Sequence, residues 1–130
     1  MKKEARSRDF CCPQILIVDD NEFNIHALTL LLQTINAQSD FALNGIQALQ
    51  KISEARECGC QYQLILLDCN MPIMDGYDTC KELRKLVEQQ KIGPLHIIAV
   101  TADVTPLNIR RCKEVGFENV LAKPFHFSQI

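Results

Sequence analysis

Four short apolar runs in this chain each end on a polar residue of a type that phosphate and metal chemistry uses. The runs are too short for helices, and they are rich in leucine and β-branched residues without polar alternation. This pattern is typical of strands that are buried on both faces, as in a parallel sheet covered by helices. The chain is therefore expected to fold around such a sheet.

The polar residues that end these runs should meet in space. Parallel strands end on one edge of their sheet, and open α/β sheets bind ligands in the crevice at that edge. We therefore expect carboxylates, a hydroxyl group and an ammonium group to lie together there. The runs and their end residues are 15–18 with Asp19 and Asp20, 64–67 with Asp68, 97–100 with Thr101, and 120–122 with Lys123.

Helical periodicity fills the gaps between the runs. Residues 21–36 place apolar side chains at spacings of three and four, which predicts an amphipathic helix. The side chains expected to face the core are Ala27, Leu28, Leu31, Leu32 and Ile35. Residues 38–43 are short and polar, as expected of an edge strand.

Three further helices are expected, each beginning at a recognisable capping or turn pair. They start at Asn44-Gly45, Asp75-Gly76 and Thr105-Pro106, and the last of them ends at Gly116. The expected core-facing residues are Ile46, Leu49 and Ile52 in the first, with Ala48 and Ala55 beside them, and Tyr77, Cys80, Leu83 and Val87 in the second. Strict alternation with right-handed crossovers predicts an α/β fold, a doubly wound parallel sheet of five strands in the flavodoxin-like order 2-1-3-4-5.

The chain ends carry weaker signals. Residues 1–13 are expected to form a charged N-terminal extension or tether, and residues 14–130 a single domain. Six residues follow Pro124, so the last helix of the alternation is expected to be truncated.

Composition limits the classes of function. The chain has 14 basic and 16 acidic residues and a net charge of -2, so it lacks the basic surface that direct nucleic-acid binding needs. No apolar stretch approaches the roughly 20 residues of a membrane span. We therefore expect a cytoplasmic domain without membrane insertion.

The seven cysteines do not predict a disulfide scaffold. Their number is odd, and Cys69, Cys80 and Cys112 lie in apolar-periodic segments, where a free thiol packs as a small hydrophobic group. Cys58 and Cys60 resemble half of a zinc site, but no second closely spaced pair accompanies them. The sequence therefore favours reduced cysteines and an ordinary loop at this position.

The strand-end residues suit phosphoryl transfer to a carboxylate, which needs a nucleophile, a divalent cation and donors for the phosphoryl oxygens. Asp68 ends a central strand and is the candidate nucleophile. Asp19 and Asp20 would add like charges beside it, and such a cluster favours magnesium, which binds through carboxylates and water. Lys123 and the Thr101 hydroxyl could pair with phosphoryl oxygens.

Each of these residues also has a purely structural interpretation. The acids after the first run could cap a helix, Asp68 could begin a turn, Thr101 could cap a loop, and Lys123 could be a solvated surface lysine. Coincidence at four successive strand ends is a poorer explanation than one shared site. The functional interpretation is therefore preferred.

The segments that carry these residues also match a family. ILIVDDNEFN from Ile15, LILLDCNMPIMDGYD from Leu64, AVTAD from Ala99 and LAKPF from Leu121 resemble the receiver domain of two-component response regulators. They look most like the receivers of hybrid histidine kinases, where DDNxxN and MPxMDG are usual. The resemblance extends from residue 15 to residue 125 with every motif in order.

The resemblance implies a phosphoacceptor domain in histidine-to-aspartate phosphorelay signalling, and not a metabolic enzyme. Its implied partner is a histidine kinase or a histidine phosphotransfer protein. The implied catalytic residues are Asp68, Thr101 and Lys123, with the N–H of Ala102 as a further donor. The implied ligands of Mg²⁺ are Asp20, Asp68 and the backbone carbonyl of Asn70, with Asp19 helping through water. The family commonly has a cis bond between the lysine and the proline, here Pro124.

Some positions qualify the resemblance. Many receivers carry Tyr or Phe three residues before the lysine, whereas this chain has Val120. Valine has no ring and is stiff at χ1, so an aromatic relay is expected to be absent or muted and the domain to be a monomer. Asn70 and Asp103, which are small and polar, are expected to shield a phosphoryl group poorly and to give it a short lifetime.

Three rival classes of protein share part of this pattern. A haloacid-dehalogenase-like phosphatase needs a second aspartate two residues after the nucleophile, where this chain has Asn70. A flavodoxin would offer Gly, Ser or Thr after the first strand, where this chain has Asp19 and Asp20. A degenerate receiver that serves as a phosphorylation-independent interaction module is the main alternative, although such receivers usually lack an acid, the nucleophile or the lysine.

Overall fold

The computed structural model of the protein describes residues 13–123. Within that range the strands are β1 Ile15–Val18, β2 Ser39–Ala42, β3 Leu64–Asp68, β4 His96–Thr101 and β5 Asn119–Ala122. The helices are α1 Glu22–Gln33, α2 Gly45–Glu57, α3 Gly76–Glu88 and α4 Pro106–Val115. All strand pairs are parallel and the order is β2-β1-β3-β4-β5, so the predicted fold class and strand order are confirmed.

Some expectations concern residues outside 13–123. Apart from Pro13, the expected N-terminal extension lies outside the described residues, and so do the expected truncated helix and the bond to Pro124. No helix within residues 13–123 is long and apolar enough to cross a membrane.

The sheet separates two apolar clusters. Alternate residues of each strand point to opposite faces, which explains why the strand sequences are apolar without interruption. One face packs beneath α2, α3 and α4, with Leu16, Val18, Ile65, Leu67, Ile97 and Ala99 among its buried strand residues. The other face packs against α1, with Ile17, Leu66, Val100 and Leu121 as its buried strand residues.

Three of the helices begin at the predicted residues Asn44, Asp75 and Thr105, whereas α1 runs over Glu22–Gln33 with Asn21 as its cap and is shorter than the predicted 21–36. The side chains of Asn21, Asn44, Asp75 and Thr105 each accept a hydrogen bond from a backbone N–H of the first helical turn. Helix α4 ends at Gly116, whose φ of +119° is in the left-handed region that glycine adopts without strain. These caps start each helix shortly after a strand or a turn ends.

The inward faces of two helices differ from the predicted ones. The buried residues of α1 are Ile25, Leu28 and Leu32. Ala27 is exposed, and Ile35 lies beyond the helix with 58% of its surface exposed. In α2, Ala48 and Ile52 are buried as predicted, and the difference is Ile46, which is exposed. Two neighbouring stripes of apolar side chains on a helix can both have helical spacing. The stripe that becomes buried is the one on the side of the helix that packs against the sheet.

The described cysteines are of two kinds. Cys69, Cys80 and Cys112 are buried, Cys58 is half-buried, and all four thiols are free. Cys60 is disulfide-bonded, so the expectation of reduced cysteines is wrong at this position. Pairing depends on which cysteines the fold brings within bonding reach, and an odd count does not reveal that. A sulfur atom in a disulfide cannot ligate zinc as a thiolate, which agrees with the loop interpretation of this segment.

Candidate functional site

The register of the sheet brings the polar strand ends to one edge. β1 pairs with β3, β3 with β4, and β4 with β5, all in parallel. Asp19, Asp68, Thr101 and Lys123 end or follow these strands, so the structure places them side by side, with Asp20 next to Asp19. The predicted residues of all four strand ends therefore share one crevice.

Lys123 links the two buried acids of this crevice. Its Nζ lies 3.2 Å from Oδ1 of Asp68 and 3.5 Å from Oδ2 of Asp19. Its backbone N–H donates to the carbonyl oxygen of Thr101 at 3.0 Å, which positions the start of the side chain. An ammonium group in this position can form an ion pair with a carboxylate. It can also form one with a phosphoryl oxygen that enters the crevice.

The carboxylates of Asp19, Asp20 and Asp68 form a cluster in which one oxygen of each lies within 4.8 Å of the others. Asp19 and Asp68 are 2% and 3% exposed, whereas Asp20 is exposed. Oδ1 of Asp19 accepts a hydrogen bond from the N–H of Asn21 at 2.9 Å. Oδ2 of Asp19 is buried and accepts no hydrogen bond from any described residue.

This arrangement fits a hard divalent cation. A buried carboxylate oxygen without a donor needs a compensating positive charge, and Lys123 at 3.5 Å supplies only part of it. Carboxylate oxygens at an opening to solvent suit Mg²⁺, which prefers oxygen ligands and keeps several of its waters. The carbonyl of Asn70 is the fourth predicted ligand, and it stays a prediction.

The environment of Asp68 disfavours its charge. Burial and the neighbouring charge of Asp19 raise the pKa of Asp68 to about 6. Lys123 and the N–H of Asn70, which donates to Oδ1 at 3.3 Å, lower that pKa in part. The site therefore disfavours the charged form of Asp68 until further positive charge arrives.

Thr101 is 1% exposed and is bonded to the loop that follows β4. Its Oγ1 accepts a hydrogen bond from the N–H of Asp103 at 3.0 Å. Within residues 13–123 the hydroxyl of Thr101 donates no hydrogen bond, and Asp68 is not bonded to it. The donor of this hydroxyl is therefore available to an oxygen that enters the crevice.

Gly76 is a contributor whose contact the sequence did not reveal. Asp75 and Gly76 do start α3, as predicted. A Cβ built on Gly76 would lie 2.2 Å from the carbonyl oxygen of Asp68 and 2.8 Å from Cα of Cys69. The N–H of Gly76 also donates to the carbonyl oxygen of Cys69 at 3.0 Å. The start of α3 is thus held directly against the backbone that carries Asp68.

A five-stranded parallel sheet with acids, a threonine and a lysine at its carboxyl edge is the architecture of a receiver-type signalling domain. Residues 15–130 match the response regulator receiver domain. The chain belongs to this family.

The curated relatives that the chain matches include histidine kinases. It is 34% identical over 117 residues to hybrid signal transduction histidine kinase L of Dictyostelium discoideum, a match that covers 90% of this chain and 7% of that protein. It is also 34% identical over 110 residues to the peroxide stress-activated histidine kinase mak1 of Schizosaccharomyces pombe, covering 85% of this chain and 7% of that protein. The chain thus spans about 7% of the length of these relatives.

Solved structures of receivers are similar in fold. The chemotaxis protein CheY4 of Vibrio cholerae has a TM-score of 0.76 and 28% identity, and the match covers 90% of this chain and 91% of that one. A co-crystal structure from Saccharomyces cerevisiae contains a histidine phosphotransfer signalling protein and the receiver domain of its downstream response regulator. Its match has a TM-score of 0.79 and 25% identity, and covers 88% of this chain and 81% of the matched chain.

Proposed function

We propose that this domain accepts a phosphoryl group on Asp68 from a phosphorylated histidine of a partner protein, with Mg²⁺, and that phosphorylation changes its interactions. The observation that carries the proposal is the position of Lys123, whose Nζ is 3.2 Å from Asp68 and 3.5 Å from Asp19. Because the ammonium group of Lys123 contacts both buried acids, it can leave one of them and pair with a phosphoryl oxygen instead. The cluster of acids and lysine is intact, which favours this function over a phosphorylation-independent interaction module.

Asp68 is the acid best placed for nucleophilic attack. Lys123 and the N–H of Asn70 both donate to its Oδ1, which leaves Oδ2 without a donor among the described residues. The bond from phosphorus to the partner's imidazole nitrogen would break as the bond to a carboxylate oxygen of Asp68 forms. Two donors at one oxygen orient the carboxylate without blocking the other oxygen.

The neighbouring residues would stabilise the transferred group. Asp19, Asp20, Asp68 and the carbonyl of Asn70 would hold Mg²⁺. When bound, the ion supplies positive charge to the phosphoryl oxygens and so reduces their repulsion by the carboxylates. Lys123 would turn from the acids to one phosphoryl oxygen, and the hydroxyl of Thr101 would donate to another.

Exposed apolar side chains around the crevice support a protein partner. Phe23, Ile73, Leu107 and Val104 are 84%, 81%, 74% and 45% exposed. They lie on segments that follow β1, β3 and β4, the same edge that holds the acids. Single exposed apolar residues are ordinary, but several around one polar crevice are typical of a docking surface. A histidine kinase or a histidine phosphotransfer protein, such as the one crystallised with the yeast receiver, is the class of partner that we propose.

Labelling with acetyl phosphate tests the nucleophile. The wild-type protein with Mg²⁺ should gain one phosphoryl group by mass spectrometry, and Asp68→Asn should abolish the gain while the circular dichroism spectrum is unchanged. Asp78→Asn is the matched control, because Asp78 is an exposed acid on α3 outside the carboxylate cluster. This control should be labelled like the wild type.

The same experiment tests the cation. EDTA should abolish labelling, because the uncompensated carboxylates repel an incoming phosphate. Undiminished labelling of Asp68→Asn would disprove the assignment of the nucleophile. A wild-type protein that is never labelled, by acetyl phosphate or by a phosphorylated partner, would favour the interaction module instead.

A further inference from the structure

Asn108 connects the loop after β4 to the start of α3. It lies in the first turn of α4 and is 8% exposed. Its Nδ2 donates to the carbonyl oxygen of Asp103 at 2.8 Å, and its Oδ1 accepts from the hydroxyl of Tyr77 at 2.8 Å. The N–H of Asp103 is the group that donates to Thr101. One amide side chain therefore ties the loop after β4 to the first turn of α3.

Tyr77 extends this connection in two directions. It follows Gly76, which contacts the backbone of Asp68, so it is tied to the loop after β3 as well. Its buried ring packs edge-on against Phe117, with ring centroids 6.4 Å apart, and the guanidinium of Arg111 lies 3.6 Å over the ring. Burial raises the pKa of Tyr77 to about 12, so the hydroxyl remains a hydrogen-bond donor across the physiological range.

The Tyr77–Asn108 pair can act as a two-state contact. Both ends of the Asn108 amide are satisfied, and breaking the bond to Tyr77 would leave the buried Oδ1 of Asn108 without its donor. Such a contact is either made or broken, which is the property that a switch element requires. Val120 on β5 has no ring that could serve this purpose.

We propose that Asn108 is a positioning residue for Thr101, and that its hydrogen bond to Tyr77 couples the phosphorylated site to helices α3 and α4. This inference rests on the proposed function, because a phosphoryl group is needed to draw the Thr101 hydroxyl inward. Movement of Thr101 pulls on the N–H of Asp103, and Asn108 holds the carbonyl of that same residue. The displacement is therefore passed to the contact with Tyr77.

Tyrosine fluorescence reports this contact directly, because the chain has two tyrosines and no tryptophan. In Tyr62→Phe the remaining tyrosine is Tyr77. Beryllofluoride with Mg²⁺, which mimics a bound phosphoryl group, should change the emission of Tyr77 in this variant. The response should be lost when Asn108→Ala is added.

The wild-type protein is the matched control, because the difference between its response and that of Tyr62→Phe gives the response of Tyr62 with the Tyr77–Asn108 bond intact. Both tyrosines are 6% exposed, and the hydroxyl of Tyr62 donates to Asp40 at 2.7 Å, away from the crevice. The emission of Tyr62 should not respond to beryllofluoride. A response of Tyr62 equal to that of Tyr77 would overturn the proposal, because the change would then be global.

Fluorine NMR detects bound beryllofluoride independently and separates two kinds of failure. A bound signal with unchanged Tyr77 emission would overturn the coupling alone, as would a response that persists in Asn108→Ala. The absence of a bound signal in the wild-type protein would contradict the proposed function, and the coupling with it.

Labelling rates test the positioning of Thr101. Asn108→Ala should slow the labelling of Asp68 by acetyl phosphate about tenfold, because the Thr101 hydroxyl is no longer held in place. The double variant with Thr101→Ala should be labelled no more slowly than Thr101→Ala alone, since Asn108 acts through that hydroxyl. Multiplied losses would overturn the proposal. Tyr77→Phe, which keeps the ring, should also slow labelling, and it keeps the test available if Asn108→Ala does not fold.

Discussion

Asp68 bears an electrostatic cost that its neighbours offset only in part. It is almost completely buried beside Asp19, and the single ammonium group of Lys123 lies within reach of both acids. Positive charge from a cation, or neutralisation of one acid, would relieve this cost. The charge of the residue that we propose as nucleophile therefore lowers the stability of the folded protein when no cation is bound.

The first prediction concerns the stability of the metal-free protein as a function of pH. The folded protein holds the proton of Asp68 more tightly than the unfolded chain, because the pKa rises from 3.8 to about 6. The contribution of Asp68 to stability is therefore fully present below pH 3.8 and is lost as the pH rises through about 6. Asp68→Asn cannot ionise, so in EDTA at pH 7 it should be more stable than the wild type by on the order of 1–3 kcal/mol.

Urea denaturation at several pH values measures this difference. The gap between Asp68→Asn and the wild type should close near pH 4 and should narrow at pH 7 when Mg²⁺ is added, because the cation binds the folded cluster. A wild-type protein that is the more stable of the two at pH 7 in EDTA would contradict the electrostatic account.

The second prediction concerns the thiols. Burial raises the pKa of Cys69 to about 12 and that of Cys80 to about 11, whereas Cys58 is half-buried. Since the thiolate is the reactive form, brief alkylation of the native protein should modify Cys58 well before Cys69, Cys80 or Cys112. Peptide mass spectrometry measures the order, and urea should abolish it. Equal rates in the native state would mean that the apolar cluster beneath α3 and α4 opens on the timescale of the reaction.

At the scale of elements, close backbone approaches hold the loops of the site in place. The N–H of Gly76 donates to Cys69 and the N–H of Lys123 donates to Thr101, each at 3.0 Å. Side-chain caps then start α3 and α4 directly beyond these loops. The geometry of the functional groups therefore depends on residues that take no part in the chemistry.

The third prediction tests one such approach. Gly76→Ala should destabilise the protein by about 1–3 kcal/mol, because its Cβ meets the backbone of Asp68 and the backbone must shift. The labelling of Asp68 should slow as well. Gly93→Ala is the control, since its Cβ meets only the end of the Gln61 side chain, which can move away. Thermal denaturation that shows equal losses for the two variants would contradict this reasoning.

At the scale of the whole molecule, the hydrogen bonds of Asn108 run from the loop after β4 toward α3, and α3 and α4 cover one face of the sheet. The strand β5 contributes Val120, which packs against the same apolar cluster and offers no hydroxyl or ring. A phosphorylation-dependent change should therefore stay local to the loops and to the contact between Tyr77 and Asn108.

The fourth prediction follows for association. The domain should remain monomeric on activation, because no aromatic side chain of β5 rotates to remodel the surface beside it. Sedimentation velocity with and without beryllofluoride and Mg²⁺ measures this. A monomer-to-dimer shift on activation would show that a dimer surface works without such a ring, and the muted relay would have to be abandoned.

Most of the fold and the composition of the site were readable from the sequence. Uninterrupted apolar runs predict the strands, and parallel strands must end on a common edge. The sequence therefore groups Asp19, Asp68, Thr101 and Lys123 at that edge. The family assignment is confirmed, whereas the chemical roles of these residues remain predictions.

Only the tertiary structure determines which side chains of different elements contact one another. Ala27 and Ile35 fit a helical stripe but are exposed, because the neighbouring stripe of α1 meets the sheet. Tyr77 and Asn108 are 31 residues apart, and their hydrogen bond exists because α3 and α4 lie side by side on one face. Local periodicity and capping determine where elements begin and end, but contacts between elements are set by the packing of the whole chain.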